Sequence, residues 1–271
     1  MSDKLILRSS KVNTFLHCRK RYYWEYVEFL TPKDTSVPLQ VGTIVHKLLD
    51  LYHKGELTVA IIEDLPNYIH TLYPTNSEEL TEEIASEAAR LVKGYLAKWG
   101  KDDLKVISSE VMAEVETPNY IIRVRVDGVA RSTNEKLWRL EHKTTARMDT
   151  SYLNGLKGGI QGAMYDYVLD SLFKEEIAGT IYNLLVKTKV PQFERTFTIR
   201  DIAMRNRMLI TLDSIARDIQ AGDFYPSCQC FLYGRPCAFK SLCDFESKEV
   251  REAFYIKRDY SPDDREEHEV V

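Results

Sequence analysis

The sequence contains no run of apolar residues that approaches the roughly 18 needed to cross a membrane as a helix. Its first residues, MSDKLILRSSKVNTF, lack the apolar core of a secretory signal. We therefore expect a cytoplasmic protein with no membrane partner. A chain of 271 residues is long enough for one large domain or two small ones.

Cysteine is scarce, with five residues in the whole chain. Four of them lie in one short stretch, CQCFLYGRPCAFKSLC, which runs from Cys228 to Cys243, and the fifth is Cys18. Structural disulfides are not expected in the cytoplasm, where clustered cysteines more often bind a metal or take part in catalysis. From the residues alone, three explanations stay open: an iron–sulfur cluster, a structural zinc ion or free buried thiols. The spacings C-x-C, x6 and x5 differ from the C-x2-4-C pairs of ordinary zinc sites.

The chain also lacks an excess of positive charge, because 37 Lys and Arg residues stand against 41 Asp and Glu residues, for a net charge of −4. This balance only weakly opposes non-specific nucleic-acid binding, since local clustering of charge matters more than the total. Local basic groups are present at Arg19, Lys20 and Arg21 and at Arg147. The acidic tail, residues 261–271, is predicted to be disordered.

Hydrophobic periodicity predicts helices first, three strands next, and then a helix, further strands and a last helix. SKVNTFLHCRKRYYWEYVEFL and QVGTIVHKLLDLYHKGE are each predicted as one helix, and residues 56–100 as a helical insertion. The three strands have turns at TPN and STNE. NGLKGGIQGAMYDYVLDSLF is predicted as a helix entered through glycines, and GTIYNLLVKTKV as a strand buried on both faces. This order indicates an α/β fold with a mixed sheet and a C-terminal cysteine segment.

Two carboxylates are predicted to face each other across one hairpin. Its turn is centred near Asn134, so a regular register places Asp127 opposite Glu141. Carboxylates in that position repel each other unless a cation lies between them, and a hard divalent cation suits them. Lys143 points to the same face as Glu141, whereas the His142 side chain points to the other. This set suits metal-assisted phosphodiester hydrolysis, although Glu141 and Lys143 alone also fit an exposed ion pair.

VDGVA followed by LEHKTT resembles the PD-(D/E)XK nuclease superfamily. The resemblance implies a restriction-endonuclease-like core, with a mixed central β-sheet flanked by helices. It also implies that Asp127 and Glu141 are metal ligands and that Lys143 is catalytic. Val126 stands where the superfamily usually has a proline.

Two helix motifs are similar to those of the RecB-like branch, which includes phage recombination exonucleases and CRISPR-associated adaptation nucleases. GTIVHKLL implies that His46 is a further metal ligand, and the backbone carbonyl of His142 is a candidate beside it. QGAMY implies that Gln161 and Tyr165, which share one helix face, belong to the catalytic site. The expected metal is Mg²⁺ or Mn²⁺, and an imidazole ligand favours Mn²⁺.

FLHCRKRYYWEYV together with CFLYGRPCAFKSLC resembles the iron–sulfur subset of that branch. In that subset, one cysteine near the N-terminus joins three near the C-terminus around a [4Fe–4S] cluster. The family pattern C-x6-C-x5-C selects Cys230, Cys237 and Cys243 as the partners of Cys18. Cys228 is then the spare thiol or the alternative to Cys230.

The predicted organisation is a single nuclease domain over residues 1–260, in which residues 223–245 form an iron–sulfur segment that closes onto Cys18. The predicted activity is a metal-dependent DNA exonuclease that degrades duplex or single-stranded DNA from its ends in recombination or repair. The resemblance implies a bacterial or phage-infected cell, and it makes a single-strand annealing protein a candidate partner and an oligomer a candidate state.

The basic residues Arg19, Lys20, Arg21 and Arg147 are the candidates for contact with DNA phosphates. Two alternatives to an exonuclease stay open. One is a structure-selective endonuclease of the kind used in CRISPR adaptation. The other is a DNA-binding or assembly module with a vestigial nuclease site.

Overall fold

A computed structural model of the protein describes residues 4–33, 37–73, 80–101, 103–227, 230–232 and 235–259. The chain divides into two compact units, which we name the terminal unit (residues 1–35, 114–123 and 206–271) and the central unit (residues 36–113 and 124–205). The single domain expected over residues 1–260 stays a prediction. The tail expected to be disordered, residues 261–271, lies outside the described residues.

The described strands are β1 (Leu5–Leu7), β2 (Leu30–Pro32), β3 (Lys105–Glu116), β4 (Tyr120–Arg131), β5 (Leu137–Thr145), β6 (Ile177–Val186), β7 (Gln192–Thr198), β8 (Phe231–Leu232), β9 (Arg235–Pro236) and β10 (Tyr255–Lys257). The described helices are α1 (Ser9–His17), α2 (Arg19–Tyr22), α3 (Val37–His53), α4 (Val59–Glu63), α5 (Leu65–Leu72), α6 (Glu82–Trp99), α7 (Thr150–Gly158), α8 (Ile160–Phe173), α9 (Ile202–Ala221), α10 (Lys240–Phe245) and α11 (Lys248–Phe254). A π-helical turn, Tyr23–Val27, follows α2.

The central unit contains a mixed β-sheet in the order β4-β5-β6-β7. β5 runs antiparallel to β4 and parallel to β6, and β7 runs antiparallel to β6. β3 pairs with β4. The predicted α/β fold with a mixed sheet and flanking helices is therefore confirmed. The predicted burial of β6 on both faces is confirmed too, because nine of its ten residues are buried.

The hairpin of β4 and β5 has the register that its sequence predicts. Gly128 pairs with Leu140, and Arg131 pairs with Leu137 next to the turn. The ladder ends at the pair of Gly128 and Leu140, one step short of Asp127 and Glu141. Those two acids therefore stand at the point where the two strands begin to separate.

The helical insertion predicted at residues 56–100 corresponds to α4, α5 and α6. Thr81 caps α6 by accepting a hydrogen bond from the backbone of Ile84 at 3.3 Å. One face of α6 packs with α3 and α5 in an apolar core that includes Leu48, Ile69 and Leu91, none of which is exposed. Gly55, at φ +76°, closes the turn after α3, as expected for a residue without a Cβ.

The terminal unit is built from short elements. β1 runs parallel to the first residues of β4, and β2 pairs antiparallel with β10. Trp24, Leu30, Phe239, Leu242 and Tyr255 form a small buried core, and the half-buried Cys237 packs against it. The sequence analysis missed the short strands β1, β2, β8, β9 and β10, because two or three residues give no readable periodicity.

One predicted helix is in fact broken. SKVNTFLHCRKRYYWEYVEFL is interrupted at Cys18, which is extended (φ −160°, ψ 115°) and whose sulfur accepts a hydrogen bond from the backbone of Arg21. The helix expected to be entered through glycines begins after Gly159, whose ψ of 136° is not helical, and the residues before it form the separate helix α7. Capping by the thiol accounts for the break at Cys18, and the low helix propensity of glycine accounts for the boundary at Gly159. None of the helices described is long and apolar enough to span a membrane.

Candidate active site

β4 and β5 place three predicted site residues in the central unit. Asp127 is on β4. Glu141 and Lys143 are two residues apart on β5, so the side chains of these two residues share one face of the sheet. The Nζ atom of Lys143 lies 2.5 Å from Oε1 of Glu141. Glu141 is buried, whereas the side chain of Lys143 is 30% exposed. The lysine is thus the member of this pair that is open to solvent.

Asp127 is bound from two sides. Its Oδ2 accepts a hydrogen bond from the backbone N–H of His142 at 2.6 Å, and its Oδ1 lies 3.2 Å from Nδ1 of His46. Burial works to raise the pKa of Asp127, but the neighbouring His46 and His142 lower it well below its usual value. Asp127 is therefore a carboxylate at neutral pH.

His46 reaches Asp127 because α3 approaches β5 closely. A Cβ atom on Gly42, one turn before His46, would lie only 3.1 Å from Oγ1 of Thr144. Burial works to lower the pKa of His46, but the charge and hydrogen bond of Asp127 raise it. The motif that resembles Gly-x-x-x-His thus corresponds to a close helix–strand contact that brings an imidazole to Asp127.

The charge of Lys143 is fixed by its neighbours. Burial works to lower the pKa of Lys143, but the charge and hydrogen bond of Glu141 raise it far above the ordinary value. The ammonium group is therefore charged at any physiological pH. It can donate hydrogen bonds and offset negative charge, and it is not a general base.

The His142 side chain is fully buried within the central unit. Its ring stacks on that of His53 at 5.8 Å, and Nδ1 lies 3.3 Å from the amide nitrogen of Asn183. Burial lowers the pKa of His142 to about 3, so the ring is neutral at physiological pH. His142 therefore contributes its backbone to Asp127, while its side chain packs among aromatic rings.

Gln161 and Tyr165, the pair predicted on one helix face, contact each other. The side-chain amide of Gln161 donates to the hydroxyl of Tyr165 at 3.1 Å. Tyr165 is buried, and its ring centre lies 4.8 Å from Cζ of Arg139, which donates a hydrogen bond to Glu141. The pair is therefore linked through Arg139 to the glutamate of β5.

A buried ionic network in the central unit was missed by sequence reasoning. Arg139, Asp166 and Arg200 are almost completely removed from solvent. Arg139 donates to Oε2 of Glu141 at 2.7 Å, and its Nε lies 3.4 Å from Oδ1 of Asp166. The alternation of β5 offered one signal, because Arg139 shares a face with Glu141 and Lys143.

Three of the basic residues predicted to contact DNA lie in the terminal unit and form ion pairs there. Arg19 pairs with Asp218 at 2.5 Å, Lys20 with Glu246 at 3.1 Å, and Arg21 with Glu25 at 3.0 Å. The fourth, Arg147 in the central unit, lies 3.6 Å from Asp149, and its side chain is 55% exposed. Arg147 is thus the most exposed of these four side chains.

The four described cysteines lie in the terminal unit, and within the described part of the chain they form no disulfide. The Sγ atom of Cys18 accepts backbone hydrogen bonds from Arg21 at 3.5 Å and Ser227 at 3.4 Å. Burial raises the pKa of Cys237, and the charges of Cys18 and Cys230 add to that effect. Cys228 lies outside the described residues.

The donor set of the central unit can be tested against a divalent metal. Within the described part of the chain, no three His, Cys, Asp or Glu side chains are placed to hold a metal ion together. His46 and Asp127 instead hydrogen-bond to each other, and Glu141 is bound by the positively charged side chains of Arg139 and Lys143. Two carboxylates and an imidazole nonetheless form a ligand set that suits Mn²⁺ and accepts Mg²⁺. The chemistry fits, and binding requires these groups to exchange their present contacts for the metal.

Residues 9–244 match the profile of the PD-(D/E)XK nuclease superfamily, and no curated protein matches the chain significantly. Among solved structures, the chain is similar to a "putative exonuclease" from Eubacterium rectale, with a TM-score of 0.55 and 14% identity over 98% of this chain and 94% of that one. At that identity the likeness shows the fold alone. The structure of SSO0001 has a TM-score of 0.39 and 15% identity over 90% and 87% of the two chains, which is too low to carry an argument. The match over residues 9–244 shows that the chain belongs to the PD-(D/E)XK nuclease superfamily, whose members hydrolyse the phosphodiester bonds of DNA.

Proposed function

We propose that the protein is a metal-dependent deoxyribonuclease, and specifically an exonuclease that degrades DNA from its ends. The observation that carries this proposal is the meeting of His46, Asp127, Glu141 and Lys143, which come from three separate elements, in one compact unit. An acidic pair, an imidazole and a charged lysine are the groups that metal-assisted phosphodiester hydrolysis needs.

The proposed ligands are the side chains of His46, Asp127 and Glu141, with the backbone carbonyl of His142 as a further candidate. When bound, a divalent cation polarises the phosphate and lowers the pKa of a bound water. Lys143, permanently charged, orients the attacking water or offsets negative charge that develops on the phosphate oxygens. Gln161 and Tyr165 contact each other, and Tyr165 lies against Arg139, the partner of Glu141. We assign the pair to the positioning of Lys143 or of a phosphate.

Exonuclease and endonuclease activity are separated by the substrate. We expect end-labelled linear DNA to be degraded with Mn²⁺, while covalently closed circular DNA stays intact. Cleavage of the closed circle at a comparable rate would favour the alternative, a structure-selective endonuclease of the CRISPR-adaptation kind. No cleavage of either substrate at any metal concentration would favour the third reading, a DNA-binding or assembly module with a vestigial site.

The finer placement in the RecB-like branch, among phage-type recombination and repair exonucleases, belongs to the same proposal. It rests on the motifs around His46 and around Gln161 and Tyr165. It makes a single-strand annealing protein the proposed partner and an oligomer a proposed state. Of the candidate phosphate contacts, we favour Arg147 over Arg19, Lys20 and Arg21, because its side chain is the most exposed.

We also propose that Cys18, Cys230, Cys237 and Cys243 hold a structural [4Fe–4S] cluster. Two features support the proposal. The sulfur of Cys18 accepts two backbone hydrogen bonds, which stabilise a thiolate, and the backbone N–H of Cys237 donates to the carbonyl of Cys230 at 2.7 Å, which brings these two cysteines together. The cluster would supply no step of hydrolysis. It would join the two ends of the chain within the terminal unit.

The cluster is tested by iron and sulfide content. Purified without oxygen, the wild-type protein is expected to be brown and to contain about four irons per chain, since a [4Fe–4S] cluster has four. We expect Cys18→Ser to lose the iron and Cys228→Ser to retain it. Zinc in place of iron would contradict the cluster, and equal iron in both variants would contradict the ligand assignment.

A further inference from the structure

Arg139 stands two residues before Glu141 on the same face of β5, and it has no role in the mechanism proposed above. It is one of the largest fully buried side chains of the protein. Nη1 of Arg139 donates to Oε2 of Glu141 at 2.7 Å, and Nη2 donates to Oγ1 of Thr180 at 2.6 Å. A buried guanidinium is thus directed at a proposed metal ligand.

The guanidinium is held in place on several sides. Its Nε lies 3.4 Å from Oδ1 of Asp166, and its Cζ lies 4.8 Å from the ring centre of Tyr165. Asp166 is in turn 3.4 Å from Arg200. Two arginines and two carboxylates therefore balance each other in the buried network, and Arg139 cannot turn away from Glu141 without leaving charge unpaired.

The two oxygens of Glu141 have different partners. Oε2 is held by Arg139, which is fully buried, and Oε1 is held by Lys143, which is 30% exposed. Each carboxylate oxygen has two acceptor positions, so both keep capacity for another partner. Oε1 is the oxygen whose present partner reaches solvent and is able to exchange.

We propose that Arg139 is a positioning residue that fixes the orientation of Glu141. It holds Oε2 on the protein side and would leave Oε1, now bound by Lys143, as the oxygen available to a divalent metal. This inference rests on the proposed function. It assigns to Arg139 the role that hydrogen-bonded outer partners have around metal-ligating side chains, where their loss typically lowers metal affinity about 10- to 100-fold.

The test compares Arg139→Lys with Arg200→Lys. Both changes keep the positive charge in the same buried network. Of the two arginines, only Arg139 contacts Glu141, whereas Arg200 contacts Asp166. Mn²⁺ affinity is measured by titration calorimetry on the metal-free protein without DNA, and unfolding is followed in parallel. We expect Arg139→Lys to bind Mn²⁺ at least about 10-fold more weakly than wild type. Arg200→Lys should lose stability but keep Mn²⁺ affinity within about twofold, because the hydrogen bonds of Arg200 go to Asp166, Thr180, Thr198, Tyr182 and Leu156 and to none of the proposed metal ligands.

Thr180→Val provides a second variant if Arg139→Lys does not fold. It removes the hydroxyl that accepts from Nη2 of Arg139, and also from Arg200, and it keeps every charge. Because Arg200→Lys by itself should leave Mn²⁺ affinity almost unchanged, a loss in Thr180→Val is assigned to Arg139, and we expect it to be about threefold to tenfold. Equal Mn²⁺ affinities in wild type, Arg139→Lys and Thr180→Val would overturn this inference alone, provided that the wild type binds Mn²⁺ and cleaves DNA. A wild-type protein that does neither would overturn the proposed function, and the inference with it.

Discussion

The Nδ1 atom of His46 lies 3.2 Å from Oδ1 of Asp127, although the two residues are 81 positions apart in the chain. One residue comes from a helix that precedes the sheet, and the other from the strand β4. The contact is possible because Gly42 allows α3 to lie against β5. Two groups that can each ligate a metal therefore meet, and in the described conformation they bind each other.

His46→Ala tests whether this imidazole is a ligand. We expect Mn²⁺ to support DNA cleavage by the wild type at least as well as Mg²⁺, because neutral imidazole binds Mn²⁺ more readily. The variant should lose at least about tenfold of its Mn²⁺-supported rate. Removing a ligand should cost no less than removing a residue that only hydrogen-bonds to a ligand, which typically costs about 10- to 100-fold. The measurement is the initial rate of cleavage as a function of each metal.

His70→Ala is the matched control for this change. The His70 side chain is also 31% exposed and lies 3.1 Å from a carboxylate, that of Glu82, but it belongs to α5. Its rate should equal the wild-type rate with both metals. A His46→Ala protein with an unchanged Mn²⁺ rate would remove His46 from the ligand set.

Gly162→Ala tests the buried arginine network through sterics. An alanine Cβ there would lie 2.0 Å from Cζ of Arg200, whose guanidinium is bound by Thr180, Thr198 and Tyr182 and cannot move away cheaply. We expect a loss of about 1–3 kcal/mol of unfolding free energy, as for other overpacked sites. Denaturant unfolding measures it.

Gly155→Ala in α7 is expected to raise the unfolding free energy instead of lowering it. No described atom lies within 4 Å of the Cβ that it would add. Alanine is the better helix former, so the variant should gain up to about 1 kcal/mol. If Gly162→Ala were stabilising as well, the packing around Arg200 would be looser than described.

Asp50 supplies a pH dependence of stability. Its carboxylate is buried and accepts hydrogen bonds from Ser109 at 2.5 Å and Lys54 at 2.7 Å. Burial works to raise the pKa of Asp50, but these hydrogen bonds lower it below the ordinary value. A lowered folded pKa gives a stabilisation that is complete above the unfolded pKa, about 4, and is lost as pH falls through the folded pKa.

Asp50→Asn should therefore lose about 2 kcal/mol of unfolding free energy at pH 7. The difference from wild type should be smaller at about pH 3, because the pH has then fallen below the unfolded pKa, about 4, towards the lowered pKa of the folded carboxyl. Denaturant unfolding at the two pH values measures it. Asp64→Asn, at an exposed position, should change stability by no more than about 0.5 kcal/mol at either pH. A difference for Asp50→Asn that is constant with pH would contradict the account.

The sequence predicted the part of the site that depends on local rules. The alternation of β4 and β5 and the turn near Asn134 were sufficient to find the register that leads to Asp127 and Glu141. The break at Cys18 was not predicted, because it depends on one residue inside an otherwise helical pattern.

The sequence could not predict the partners that come from distant segments. Arg139 meets Asp166 and Thr180 only after β5, α8 and β6 have packed together. Arg19 appeared as a free basic residue, yet it pairs with Asp218, which is 199 positions away. A positive charge in a sequence carries no information on whether folding will neutralise it.

The proposed function requires Asp127, Glu141 and Lys143 to act together with a divalent metal in the hydrolysis of DNA. The decisive measurement is Mn²⁺-dependent cleavage of end-labelled linear DNA by Asp127→Ala and Lys143→Ala, compared with the wild type. We expect the wild type to cleave, and both variants to fold, to keep the iron content of the wild type and to fail to cleave. Unchanged cleavage by either variant would contradict it.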